Sequence, residues 1–277
     1  MGCSNMRIGF STGSLALDDV RRGLRMATHQ RVKAIELSAL REQELDPLLG
    51  SLDSLEEELR PFEHIALHAP SRLERMTEEQ VVTRLKKVAT RGWAIIVHPD
   101  VIHDYQLWRQ LARAVCLENM DKRKRTGRTA RELAHYFAEI PDATFCFDIG
   151  HARQIDPTMG EAAEFLRCFS DRLRQIHMSY VNSQSRHERL NFESLTAFRR
   201  VAHRIDDRVP VILETPVAEE AIEAEVSAAE SVFANGGAAR PPDREREVAI
   251  ELSPMETRQI VGSIVRRSTA GPSPVIE

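Results

Sequence analysis

Eight times along this chain a short apolar run is followed by a helix-forming stretch, at intervals of roughly 20 to 40 residues. The runs begin at Arg7, Ala34, His64, Trp93, Ala114, Thr144, Leu173 and Val211. They are near-continuous in hydrophobicity rather than alternating, so they belong in a parallel sheet whose outer face is covered by helices. Eight such units in about 230 residues predict an α/β fold, a closed (β/α)8 TIM barrel. An open doubly wound sheet is the competing arrangement, but no G-x-G-x-x-G follows the first run.

Local signals set the expected helices. Asp18 is placed as the cap of a helix reaching about His29, and a Leu- and Glu-rich helix is expected from about Asp46 to Arg60, stopped by Pro61. Thr77 caps the next long one, and another is expected from about Thr129 to Glu139. After Phe233 the composition changes to Asn235-Gly-Gly-Ala-Ala-Arg-Pro-Pro, so residues 1–233 are assigned to the barrel. Residues 234–277 are assigned to a linker and a partly disordered C-terminal extension, with a short helix near Glu256 to Arg267.

A net charge of -4 and an aromatic content of 5% argue against a nucleic-acid partner. No apolar run reaches the 18 or so residues of a membrane span. Cys3, Cys116, Cys146 and Cys168 show no CxxC spacing, which suits free thiols in a reducing cytoplasm. Met1-Gly2-Cys3 has Met6 where an acylation signal wants Ser or Thr, and Met6 could itself be the start.

The chemistry concentrates where the strands end. In Thr144-Phe-Cys-Phe-Asp-Ile-Gly-His-Ala152 a buried strand ends in Asp148, and His151 follows across Gly150, expected to turn the backbone. Six consecutive strands finish in a metal-ligand type of residue: His68, His98, Glu118, Asp148, His177 and Glu214. His151 and His187 lie in the loops beyond. Packing requires no such residues there, and clustered carboxylates repel one another without a cation. Zinc or manganese is therefore expected on that face. The basic run Lys122-Arg123-Lys124-Arg125 follows strand five, where it is either a solvated loop or an attractor of an anionic substrate.

Taken in order, His68-Ala-Pro, His98-Pro, Glu118-Asn, Asp148-Ile-Gly-His151, His177, Arg186-His187 and Glu214-Thr-Pro resemble the xylose isomerase-like TIM barrels. That superfamily includes sugar phosphate isomerases/epimerases and endonuclease IV. The epimerase likeness implies one metal held by Glu118, Asp148, His177 and Glu214, with the two glutamates exchanging a substrate proton. The endonuclease IV likeness implies three zinc ions on nine ligands, of which eight match: His68, His98, Glu118, Asp148, His151, His177, His187 and Glu214. The ninth, an Asp two positions before the loop His, is Ser185 here. Strand two ends in Glu36-Leu-Ser, as sugar isomerases do, and the DNA-probing loop of the endonucleases is missing.

These readings imply a divalent-metal-dependent enzyme with Glu118, Glu214 and His151 as candidate catalytic residues. A small phosphorylated substrate hydrolysed at a multi-metal site comes first. A single-metal sugar (phosphate) isomerase/epimerase, acting on a polyhydroxylated substrate through an enediolate, is the alternative, and a non-catalytic metal-binding barrel is a third class.

Overall fold

The computed structural model describes residues 6–28 and 31–234. Eight parallel strands close a barrel: β1 (Ile8–Ser11), β2 (Ala34–Ser38), β3 (His64–His68), β4 (Ala94–Val97), β5 (Val115–Glu118), β6 (Thr144–Asp148), β7 (Leu173–Met178) and β8 (Val211–Leu213). Each strand pairs with its neighbours in sequence, and β1 closes the ring on β8 through Ile8↔Val211 and Phe10↔Leu213. The (β/α)8 barrel expected from the sequence is the fold observed.

Two sets of side chains fill the two sides of this wall. Outward residues pack under the helices, as where Phe145 meets Phe137, Phe165 and Phe169 at ring separations of 6.1, 5.8 and 5.7 Å. Inside, Ala66, Ala94, Ile96, Cys116 and Cys146 form a separate small-residue plug. Side chains alternate along a strand, so this plug floors the ligand-type residues two positions further on. Gly9 is needed for the same crowding, because a Cβ there would lie 1.6 Å from the Ala34 carbonyl oxygen.

Several local expectations are corrected. The helix expected after Asp18 is Val20–Ala27, preceded by a short one at Thr12–Leu15, and its cap is Asp19, whose carboxylate accepts from Arg22 N at 2.9 Å. Asp18 instead takes a left-handed φ of 68°, and His29 lies outside the described residues. The Leu-rich helix starts at Glu42 rather than Asp46 and carries Pro47 inside it, giving way to a 3-10 turn at Leu52–Leu55 and a last turn at Glu56–Leu59. Its start is fixed by tertiary structure: the buried Glu42 carboxylate accepts the backbone N–H groups of Glu74, Arg75 and Met76 at 2.6, 2.9 and 3.0 Å. A short helix runs Tyr105–Arg109.

Gly150 also plays a different part from the one expected. It sits within a helix, Ile149–Ile155, and its φ is not left-handed. A Cβ there would come 2.6 Å from the Ser179 carbonyl oxygen, so the residue is small to let this helix press against the end of β7. Cys116 and Cys146 are free and buried, and Cys168 is free and half-buried. Cys3, the N-terminal acylation motif, the 235–242 linker and the helix expected near Glu256 lie outside the described residues.

The eighth unit is completed by the helix Ile222–Phe233, whose face buries Ile222, Val226, Ala229 and Val232. A chain ended after Ala234 is therefore expected to keep one cooperative thermal transition. Insolubility or a broadened, non-cooperative melt would place residues 235–277 within the folding unit.

Candidate metal centre

Because the eight strands run the same way, their carboxyl ends open on one side, into a cavity of about 1080 Å³. His68, His98, Glu118, His151, His187 and Glu214 line it. Asp148 and His177, paired in register across β6 and β7, lie fully buried beneath. All eight residues expected as ligands thus meet at one place.

Glu118 is the hub. Its Oε2 lies 3.3 Å from Nε2 of both His68 and His98, and its Oε1 lies 3.4 Å from Nδ1 of both His151 and His177. His177 Nδ1 is also 3.4 Å from Glu214 Oε1, and His187 Nδ1 is 3.4 Å from Glu214 Oε2. Ligand-type atoms of His68, His98 and Glu118 all fall within 4.8 Å of one another, as do those of Glu118, Asp148, His177 and Glu214, and those of Asp148, His151 and His187.

Imidazole tautomers follow from the surrounding partners. A carbonyl oxygen only accepts, so the 2.8 Å contact of His68 Nδ1 with Ala69 O puts a proton on Nδ1 and makes Nε2, on the Glu118 side, the nitrogen a metal would take. His151 Nδ1 is fixed in the same way on Asn119 O at 2.9 Å. His177 Nε2 lies 2.9 Å from both Glu36 Oε2 and Gln175 Nε2, and its Nδ1 faces Glu118 and Glu214. This carboxylate–histidine pairing is the outer-shell arrangement that orients metal-bound imidazoles.

Asp148 does two jobs with its two oxygens. Oδ1 caps the Ile149–Ile155 helix by accepting from His151 N at 2.6 Å, while Oδ2 is buried with no hydrogen-bond partner among the described residues. His151 Nε2 and His177 Nδ1 are buried and unpartnered in the same way. Buried polar atoms are otherwise almost always satisfied. Divalent cations at these groups would satisfy them, so the donor set fits such ions.

Charge inside the cavity is out of balance without one. Burial raises Glu118, but the His177 charge and hydrogen bonds from His177, His68 and His98 outweigh it and hold the carboxyl well below its ordinary range. Burial pushes Glu214 well above that range, with Glu118, Asp148 and Glu36 adding and His177 opposing. Asp148 is raised too, by burial and then by Glu118, against the pull of His151 and His177. Burial, followed by the His151 charge, lowers His187 to about 3, so it is neutral and ready to coordinate.

Two features carry no site assignment from sequence, and a third, Ser185, lies away from the position the resemblance implies. Glu36 reads there only as a strand end, yet it reaches the site through His177. Gln175, two residues before His177 on β7, donates to Glu36 Oε2 at 2.6 Å and accepts at its Oε1 from His64 at 2.7 Å. This polar chain crosses the barrel interior, and the two-residue spacing of Gln175 and His177 is its only sequence signal. Ser185 sits in the turn of a hairpin formed by Tyr180–Val181 and His187–Glu188, where its hydroxyl donates to Gln154 Oε1 at 3.1 Å and does not line the cavity.

Solved structures with this barrel carry related names. The chain is similar to endonuclease IV from Thermus thermophilus (18% identity, covering 82% of this chain and 98% of that one, TM-score 0.54). It is also similar to a D-psicose 3-epimerase from Clostridium cellulolyticum solved with D-tagatose (10% identity, 82% and 94% covered, TM-score 0.53). A xylose isomerase domain protein from Alicyclobacillus acidocaldarius gives 16% identity, 83% and 99% coverage and a TM-score of 0.58. The protein thus has the fold of the xylose isomerase-like TIM barrels. No family model and no curated protein matches the sequence.

Two measurements check this network. His64 is pushed to about 4 by burial, with Arg7 and Arg174 adding and Gln175 and Glu36 opposing. Its unfolded value is near 6.5, so below that pH the unfolded chain binds the proton first and stability is lost until pH 4. The loss is about 3 kcal/mol, and His64→Gln should remove it from urea midpoints compared at pH 7 and 4.5. An unchanged pH slope would show that His64 is not held neutral. Separately, Glu36→Gln keeps volume but removes the charge behind His177, and should weaken zinc binding roughly 10–100-fold in a chelator competition. Wild-type affinity would rule out that outer-shell role.

Proposed function

We propose that this protein is a metal-dependent hydrolase of a small phosphoester or phosphodiester, working at a multi-metal site. One observation carries the reading: the two oxygens of Glu118 face different histidines, His68 and His98 on one side and His151 and His177 on the other. That is the posture of a carboxylate bridging two ions. His68, His98 and Glu118 would hold one ion, and Glu118, Asp148, His177 and Glu214 its neighbour. A histidine-rich set suits zinc better than manganese.

Bound divalent ions would supply a water of lowered pKa and polarise a phosphoryl oxygen. The chain's own groups do the rest. Arg72, Arg123, Lys124, Arg125 and Arg186 line the same cavity and favour an anionic substrate. Lys124 is already tied to Asp100 at 2.8 Å, so the basic run is partly structural and partly a rim. Glu214 stands at the cavity edge with its side chain 15% exposed, where burial raises its carboxyl, and it is the most accessible of the enclosed carboxylates. Glu118 is enclosed by imidazoles and serves better as a ligand than as a base. Of the three candidate catalytic residues Glu118, Glu214 and His151, Glu214 takes the proton-carrying role in this proposal on its accessibility.

The isomerase alternative rests on the group Glu118, Asp148, His177 and Glu214, which is complete as a site for a single ion. Metal counting separates the two. After zinc loading and dialysis, elemental analysis is expected to give more than one zinc per chain. His68→Ala and His98→Ala should each lower that number and reduce metal-dependent cleavage of bis(p-nitrophenyl) phosphate at least roughly 10-fold. One ion per chain in the wild type, retained by both variants, would overturn the hydrolase and favour the isomerase.

A further inference from the structure

A cavity of about 1080 Å³ takes a molecule of drug size, well beyond a single phosphoester group. Six cationic side chains line it: Arg41, Arg72, Arg123, Lys124, Arg125 and Arg186. Four of them are committed to carboxylates. Arg41 pairs with Asp18 and Glu44, Arg72 with Glu74 at 3.5 Å, Arg123 with Asp121 at 2.6 Å and Lys124 with Asp100 at 2.8 Å. Arg125 and Arg186 are exposed, and neither guanidinium has a hydrogen bond or ion pair among the described residues. Their planar forks are therefore open to an anion, and phosphate oxygens match that geometry.

The two free arginines sit on loops that follow different strands, yet one side chain joins those loops. Gln154, on the helix Ile149–Ile155, accepts at Oε1 from the backbone N of Lys122 at 3.1 Å. Its Nε2 donates to Asn182 O at 2.6 Å and to Ser185 Oγ at 2.8 Å. The first bond holds the basic run after β5, and the other two hold the turn of the hairpin that carries Arg186. Asn182 Oδ1 in turn accepts from Arg186 N at 3.0 Å. The loop after β5 is closed at its base, where Met120 N donates to Gly127 O at 2.8 Å and Gly127 takes a left-handed φ of 79°. Asn119 donates from Nδ2 to Asp148 O and accepts at Oδ1 from Asp148 N, both at 2.8 Å, so the ends of β5 and β6 are clamped together. The backbone near both arginines is thus tied to one helix, and Ser185 serves this rim rather than a metal.

The lining also limits the substrate. Among the described residues no Phe, Tyr or Trp side chain lines the cavity, so a nucleobase finds no aromatic stacking platform there.

We propose that Arg125 and Arg186 form a subsite for a second anionic group of the substrate, and that Gln154 is the positioning residue that sets both arginines on one rim. The substrate is then a compact, non-aromatic molecule with two phosphate-type groups, one held at the rim and the other at the metal floor. This inference rests on the phosphoester reading above.

The test titrates the zinc-loaded full chain with alkanediol bisphosphates of increasing length and with the matching monophosphates, reading affinity by calorimetry and zinc content by elemental analysis. The best bisphosphate should bind about 10-fold tighter than its monophosphate, the scale of two exposed charge pairs. Arg125→Ala and Arg186→Ala should each lower that ratio roughly 3-fold at wild-type zinc content. Gln154→Met should lower it as well, and Gln154→Glu, which keeps the acceptor for Lys122 N and loses the donors to the hairpin, stands in should that variant fail to fold. Lys122→Met removes the same charge from the same loop but from a side chain that does not line the cavity, and should keep the ratio. A ratio near one in the wild type, or one that both arginine variants retain, would overturn the subsite. A ratio unchanged in the Gln154 variants would overturn the positioning role. Affinity needs no turnover, so these outcomes are distinct from failure of the hydrolase reading, which the zinc count decides.

Discussion

The cavity depends on a carboxylate enclosed by imidazoles. Glu118 is 1% exposed and meets four histidines from four other segments of the chain. A buried anion so placed is tolerable only because positive charge surrounds it, either protons on the imidazoles or a metal ion. The opposed directions for Glu118 and for Asp148 and Glu214 follow from that: cationic neighbours favour the ionised form of the first, while burial favours the neutral forms of the others. Divalent ions would remove the conflict by supplying charge that does not have to be shared.

The barrel supplies the rigidity this requires. Small residues below the site let the ring of strands close tightly, and the ligands emerge from a floor of Ala66, Ala94, Ile96, Cys116 and Cys146. Above the floor, imidazoles are not left to rotate. Ala69 O, Asn119 O and the Glu36 carboxylate each hold one ring nitrogen, which decides the other nitrogen's role. Where the chain breaks its regular pattern, the reason is again the site. Asp148 ends a strand and caps a helix in the same residue, and Gly150 lets that helix approach Ser179 closely enough to bring His151 inward.

Where local signals mislead, the missing information is tertiary. Pro47 and the Glu-rich stretch make residue 46 look like a helix start, because nothing local reveals that Glu42 receives three backbone N–H groups from the loop after β3. Asp18 and Asp19 are both acceptable caps by residue type, and only the left-handed turn at Asp18 distinguishes them. Asp121 adjoins a basic run that reads as a solvated loop, and its proximity to His151 comes from the clamp between β5 and β6.

From the sequence alone, the eight-fold repetition of apolar strand and helix determines the barrel, and the residue closing each strand determines which donors face the cavity. Both follow from the fixed periods of strand and helix, which are local properties. Which oxygen of Glu118 meets which histidine, and that Glu36 reaches the site through His177, were decided only by the closed ring. Those contacts link residues far apart in sequence, such as His177 and Glu36, separated by 141 positions. Nothing in the composition of either segment encodes their separation in space; it is set when β1 meets β8 and the ring is complete.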